Sequence, residues 1–553
     1  MSFVDPHSSR LPTLATDPDW WRGAVIYQIY PRSFQDSNGD GIGDLAGIIH
    51  RLPHVAELGV DAIWISPFFR SPMLDFGYDV SDYRDVDPMF GTLGDFDALI
   101  NRAHELGLRV LIDLVLSHTS SQHPWFAQSR SSRDNPKADW YVWADSKPEG
   151  SPPNNWLSIF GGSAWEWDSE RMQYYLHNFL ADQPDLNFHC PEVQEELLDI
   201  ASFWLERGVD GFRLDTVNFY FHDKKLRDNP PLDPSLQNDN TAPAVNPYNF
   251  QDHLYDKTQP ENLQFLERLR ALVDSYPDRA CVGEVGESQR GSAVQAEYTS
   301  GGDKLHMCYD FDFLSGQEPT GTFFARVLEK ANEALIDGWA CWAYSNHDVV
   351  RHPTRWNLTE PASRILTAIL LSVRGSVCLY QGEELGLDEA YVAFDELQDP
   401  YGKRFWPKYK GRDGCRTPIP WAHDSQHGGF TDGKPWLPVA MEQLQRAVDL
   451  QSSGDDTVLD FYKRMIAFRK AHPILAKGTL EIVEARNNVL SFVRAHEGER
   501  MFCAFNISDT GMNFEKPAGT WNADCRSPFG SDGDDLPDRL PPWEAVFAVE
   551  NGL

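Results

Sequence analysis

Three acidic residues, far apart in the chain, each follow a short apolar run: Asp215 in Gly211-Phe212-Arg213-Leu214-Asp215, Glu284 in Val282-Gly283-Glu284-Val285, and Asp348 in Asn346-His347-Asp348. If those runs are parallel strands of one barrel, the three carboxylates converge at its C-terminal rim, where such barrels carry their chemistry. Two converging carboxylates are what glycoside hydrolysis needs. Arg213 lies two residues before Asp215, so in a strand both side chains face the same way. A neighbouring guanidinium favours an ionised aspartate, as a nucleophile requires; a buried Arg–Asp pair bracing a barrel would read the same in sequence. Glu284, between Gly283 and Val285, sits in surroundings that raise a carboxyl pKa and suit a general acid, although an ordinary strand-end glutamate is the plainer alternative. Asn346-His347-Asp348 adds a donor and a third carboxylate at one strand end.

The elements that must hold these residues are legible as apolar, β-branched runs with helical spacers. The runs are Val25 to Tyr30, Ala62 to Ile65, Arg109 to Leu114, Gly211 to Leu214, Arg279 to Gly283, Cys308 to Asp310, Ala340 to Tyr344 and Ser376 to Tyr380. Eight buried strands alternating with helices indicate a closed parallel barrel. Leu93 to Leu106 is one such spacer, apolar at helical intervals and stopped by Gly107. Between the third and fourth runs lie about a hundred residues where a helix would suffice, which demands an inserted subdomain. From about Lys477 short alternating strands, among them Val489 to Val493 and Met501 to Phe505, predict a small antiparallel β domain. The resulting division is barrel over 1–117, inserted subdomain over 118–184, barrel again over 185–476 with an irregular 388–420 segment, and a β domain over 477–553.

Composition narrows the class of partner. A formal charge of −34 repels nucleic acid and anionic membranes. The 18 Trp and 19 Tyr suit a sugar-binding cleft as well as a core. The N-terminus, Met1-Ser2-Phe3-Val4-Asp5-Pro6-His7, lacks a basic region followed by an apolar run, and no stretch approaches the roughly 18 apolar residues of a membrane span. A cytoplasmic location is the expectation. Eight singly spaced cysteines, Cys190 to Cys525, lack zinc-site pairing and read as reduced thiols. In Asp36-Ser37-Asn38-Gly39-Asp40-Gly41-Ile42-Gly43-Asp44, oxygen-bearing residues at positions one, three, five and nine, with the Ile42 carbonyl at seven, follow Ca²⁺-loop spacing. Position twelve is Gly47, not the glutamate of an EF-hand, and the loop follows a strand; a metal-free Asx-rich turn is the alternative.

With Asp215, Glu284 and Asp348 in this order, the chain resembles the α-amylase family of glycoside hydrolases (family 13), in its α-glucosidase and oligo-1,6-glucosidase branch. The resemblance runs from Val25 to the C-terminal domain. It implies a (β/α)8 TIM barrel with an inserted domain after strand three and a C-terminal antiparallel β-sandwich. It implies Asp215 as nucleophile, Glu284 as acid/base, and Asp348 as the third carboxylate holding the distorted sugar, with Arg213 and His347 supporting them. Asp113-Leu114-Val115-Leu116-Ser117-His118 is similar to a further family motif, in which His118 binds the terminal glucose and Asp113 braces the strand end. Ser117 stands where the family usually has Asn. Asp75-Phe76-Gly77-Tyr78-Asp79 resembles the stretch that closes the glucose pocket. Asp75 and Arg416 are expected to seal its far end, Tyr78 to stack on the sugar, and Phe160 and Phe179 to line the acceptor side.

Gln183-Pro184-Asp185-Leu186-Asn187 resembles the branch signature of the inserted domain. Thr216, directly after the nucleophile where α-1,6 enzymes carry Val, implies α-1,4 substrates and sucrose-like glucosides. The Arg-Leu-Asp-Arg-Asp loop of isomaltulose-forming relatives is absent. Similar Asp36–Asp44 loops hold a structural Ca²⁺ or Mg²⁺, and no organic cofactor is implied. The expected activity is release of terminal α-glucose with retention, through a glucosyl-enzyme. Transglucosylation, oligo-1,6-glucosidase activity and a noncatalytic sugar-binding role stay open, as does the choice between monomer and homodimer.

Overall fold

The computed structural model describes residues 14–238, 241–524, 527–530 and 535–550. Met1–His7 and Cys525 lie outside the described residues. Eight parallel strands close into a barrel: β1 (Val25–Ile29), β2 (Ala62–Ile65), β3 (Arg109–Leu114), β4 (Gly211–Leu214), β5 (Ala280–Glu284), β6 (Met307–Asp310), β7 (Ala340–Trp342) and β8 (Ser376–Tyr380). All are buried along their full length, because neighbouring layers cover both faces of a parallel sheet. The register pairs Arg213 with Asp113 on one side and with Val282 on the other, which brings β3, β4 and β5 into line beneath one site.

Each of the three carboxylates singled out in the sequence has its own support. Asp215 directly follows β4 and Glu284 is the last residue of β5. Asp348 does not end a strand: β7 stops at Trp342, and Asp348 stands on a loop where Asn346 Oδ1 accepts from the Asp348 and Val349 amides at 2.8 and 3.1 Å. The helix Leu93–Glu105 starts at a capping box between Thr92 and Asp95 and breaks before Gly107, which adopts φ of 79°.

The segment after β3 carries a helix, Pro124–Arg130, and a three-stranded antiparallel sheet of Trp143–Ala144, Trp165–Asp168 and Gln173–Leu176. A bridge between His118 and Asp185 closes its base. A second excursion, unforeseen from sequence, runs from β4 to the helix Asn262–Asp274 with only short 3₁₀ turns among its described residues.

At the C-terminus Thr479–Arg486, Val489–His496, Glu499–Asn506, Ala545–Glu550 and Trp521–Ala523 form an antiparallel sheet in that order, beside a two-stranded ribbon. It docks on the barrel through Phe547 against Phe468, with ring centroids 4.9 Å apart, and through buried Arg494, which donates to the carbonyls of Ser372, Gly478 and Thr479. Among the described residues the seven cysteines are free thiols, and no helix is long and apolar enough to cross a membrane.

Candidate active site

The centre of the site is one cation among three carboxylates. Arg213, 2% exposed, places Nη1 2.9 Å from Asp113 Oδ1 and 2.5 Å from Asp215 Oδ1, and Nη2 2.6 Å from Glu284 Oε2. One positive charge cannot balance three buried negative ones, so a proton must be retained. Glu284 retains it: burial, opposed by Arg213 and reinforced by Asp215 and Asp348, pushes its carboxyl up to about 8. Burial pushes Asp215 up to about 6 against the pull of Arg213, so the guanidinium limits the rise without reversing it. Protonated Glu284 lies within hydrogen-bonding reach of Asp215.

Thr216 ties the pair together. Its backbone is left-handed, φ 41°, which points its amide at Glu284 Oε2 (3.1 Å) while Oγ1 donates to Asp215 Oδ2 (3.3 Å). Thr216 Oγ1 also lies 2.9 Å from Ser117 Oγ, and Ser117 Oγ 2.9 Å from His118 Nδ1. The serine at the departing motif position therefore links His118 to Thr216, the neighbour of Asp215. Burial lowers His118 to about 4, leaving it neutral, with Nε2 2.9 Å from the Tyr78 carbonyl oxygen.

The partner of Asp75 differs from the expectation. Asp75 Oδ1 accepts from Arg412 Nη2 at 2.8 Å, and its Oδ2 from Gln183 Nε2 at 3.1 Å. Arg412, not Arg416, is thus the partner of Asp75. The two arginines flank a 3₁₀ turn, Asp413–Cys415, that sends their side chains to different partners. Arg416 donates to the His347 carbonyl at 2.6 Å and to Asp348 Oδ1 at 2.7 Å; Arg412 Nη1 reaches the same Asp348 oxygen at 3.2 Å. Burial would raise the Asp348 carboxyl, but His347, Arg412 and Arg416 outweigh it and hold it below the usual range. His347 is itself lowered to about 3 by burial. Its Nε2 lies 2.7 Å from Tyr78 Oη, and the two rings lie parallel with centroids 5.3 Å apart.

These groups open onto a cavity of about 550 Å³, within the size range of small-molecule sites. Asp75, Tyr78, His118, Phe160, Phe179 and Thr216 line it with the three carboxylates, whereas Arg213, His347 and Arg416 lie behind the lining and brace it. Phe160 packs on Tyr401 at 4.8 Å and Phe179 on His118 at 5.1 Å. Sequence reasoning missed Arg412, Asn346 and Tyr401 in the lining, and the wall Phe219 and Thr241–Val245 from the excursion after β4. The length of that excursion could have indicated extra structure there, though not that it forms a wall of the cavity.

The Asp36–Asp44 loop lies apart from this cavity and closes on itself. Asp36 accepts from the amides of Asn38, Gly39 and Gly41 and from Thr431; Asn38 accepts from the Asp40 amide, and Asp40 from that of Ile42. Asp44 caps the helix Leu45–Leu58 through Gly47 and accepts from Ser37. The donor set is oxygen alone, as a hard cation requires, although the Asp36, Asp40 and Asp44 carboxylates do not all come within 4.8 Å of one another. Among the described residues only His423, Asp424 and Asp449 converge to that extent.

A family model described as the alpha amylase catalytic domain matches residues 28–478. The chain is 62% identical over 539 residues to a probable alpha-glucosidase of Rhizobium meliloti, covering 97% of this chain and 98% of that protein. It is 35% identical over 543 residues to an oligo-1,6-glucosidase of Heyndrickxia coagulans, covering 91% and 95%. Among solved structures, the alpha-glucosyl transfer enzyme XgtA superposes with a TM-score of 0.92 at 53% identity, over 96% of this chain and 99% of that one.

Proposed function

The chain belongs to the alpha-amylase family of glycoside hydrolases, and from that premise we propose that it is a retaining α-glucosidase releasing terminal non-reducing glucose from short α-glucosides. One observation carries the reading: Asp215 and Glu284 sit on the two Nη atoms of one buried Arg213 and line a cavity that Asp75, paired with Arg412, lines as well. Asp215 attacks the anomeric carbon while Glu284 protonates the leaving oxygen. Glu284 then deprotonates the hydroxyl that attacks the glucosyl-enzyme. Carboxyls in hydrogen-bonding reach leave no room for the water that an inverting enzyme holds between its pair, which supports retention. The Asp75–Arg412 ion pair in the lining supports a sealed glucose pocket and so removal of one terminal glucose rather than internal cleavage, and Thr216 favours α-1,4 bonds and sucrose-like glucosides over α-1,6.

A second reading, transfer of the glucosyl group to a sugar or other alcohol, draws on the likeness to the alpha-glucosyl transfer enzyme and on the cavity extending past the carboxylates along Phe219 and Thr241–Val245. Glucose release from maltose, sucrose, trehalose, isomaltose and maltotriose, with the first-formed anomer followed by NMR, tests both. Initial β-glucose would refute retention; a preference for isomaltose would overturn the linkage assignment; longer oligosaccharides would identify transfer.

We further infer that the Asp36–Asp44 loop takes a structural Ca²⁺ or Mg²⁺, held by Asp36, Asn38, Asp40, Asp44 and the Ile42 carbonyl. The ion would stiffen the loop after β1 and would take no part in bond cleavage. Metal content after exhaustive dialysis, with melting in chelator, checks it: no bound metal and an unchanged melting temperature would sink it.

A further inference from the structure

We propose that Asp399 is a positioning residue for recognition: it fixes the Arg412 guanidinium across the closed end of the cavity, and so sets how tightly terminal glucose is held and how firmly longer chains are refused. The inference rests on the reading of that end as the glucose pocket. Asp399 is fully buried and lies behind the lining. Its Oδ1 accepts from Arg412 Nη2 at 2.8 Å and Nε at 3.2 Å; its Oδ2 accepts from Nε at 3.2 Å and from the Arg412 amide at 2.7 Å. Both the guanidinium and the backbone of one residue are thus held by one carboxylate.

Arg412 has three anionic partners, but they differ in what a sugar can do to them. Asp75 and Asp348 line the cavity, where ligand hydroxyls compete for their oxygens. Asp399 is out of reach of the ligand, so its bonds persist when the others are rearranged. A guanidinium fork anchored from behind loses less freedom on binding than one held only by groups the substrate engages. Asp399 is in turn held by its own amide, which donates to Asp413 Oδ2 at 2.9 Å beside the Gln398 amide at 2.6 Å. Asp399 Oδ1 also caps the helix Pro400–Phe405 through the Tyr401 amide at 3.1 Å, and Tyr401 packs on Phe160. The cap alone would make Asp399 merely structural, and the test must separate the two roles.

D399N keeps a capping oxygen but removes the charge; D399S keeps a cap and loses the reach to Arg412. For maltose, both variants should raise KM at least about tenfold with kcat within about threefold, the pattern of lost binding shared by ground and transition states. Inhibition by glucose should weaken in parallel. Cleavage of a maltooligosaccharide blocked at its non-reducing end should rise relative to maltose. Unchanged KM and glucose inhibition in the folded variants would overturn the proposal, and so would loss of kcat with KM unmoved. Failure of both variants to fold would assign Asp399 to the fold alone and would equally overturn it. A wild-type protein inactive on every glucoside would count against the glucosidase reading instead; glucose binding by calorimetry, wild type against D399N, would still decide the role of Asp399.

Discussion

Arg213 touches three carboxylates with one charge, and the proton that must remain divides the labour between them. Asp215→Asn removes the nucleophile while leaving the cavity intact, so kcat should fall at least about a thousandfold with folding unchanged; residual activity within tenfold of wild type would end the nucleophile assignment. The pH profile of kcat/KM should be a bell. It falls below about pH 6, where Asp215 gains its proton, and above about pH 8, where Glu284 loses its own. An E284Q enzyme assayed on an aryl glucoside that needs no acid should lose the alkaline limb; its persistence would reassign the acid. The same residue links activity to stability. Its folded pKa lies above the ordinary 4.5, so the stability its proton carries is present below about pH 4.5 and lost as pH rises toward 8. E284Q, which cannot titrate, should therefore be the more stable protein near neutrality, by on the order of 3 kcal/mol in denaturant titrations. A Gln variant no more stable than wild type at pH 8 would contradict the shift.

At the scale of elements, β4 is the strand the site can least afford to disturb. Gly211 opens it at φ 148°, and a Cβ there would lie 1.7 Å from the Ala280 carbonyl oxygen, against β5. G211A should cost at least about 3 kcal/mol, read from the denaturant midpoint, because a backbone clash between two central strands has no soft neighbour to yield; a loss under about 1 kcal/mol would show that the strands can part. The strands themselves were legible because parallel strands covered on both faces are unbroken apolar runs, and all eight runs fall on strands within a residue or two. Asp215 and Glu284 were legible with them, being fixed to strand ends. Asp348 was legible only as a motif, since its loop departs from β7 six residues earlier and is shaped by the Asn346 turn. Arg412 and Arg416 show where reading stops: four residues apart in one irregular loop, nothing in their spacing says which side chain turns to Asp75. The wall Thr241–Val245 was illegible for the related reason that coil has no period, and its place depends on contacts made across the fold.

At the scale of the whole molecule, the C-terminal sheet shares the barrel's core: Phe492, Phe505 and Phe547 belong to the same continuous apolar cluster as Ile365, Leu366 and Phe468. Unfolding followed by calorimetry should therefore show one transition, and a chain ending at Lys477 should not accumulate as a soluble barrel, because it would expose that cluster. Two resolved transitions would separate the units. The proposed sealing of one end of the cavity by the Asp75–Arg412 pair also has a consequence in time. On that reading the departing aglycone must clear the passage before water or another alcohol can enter, and glucose, made deepest, leaves last. Product inhibition should record that queue. Glucose should compete with substrate, whereas an added aglycone alcohol should divert the intermediate, so that its concentration alone sets the split between hydrolysis and transfer.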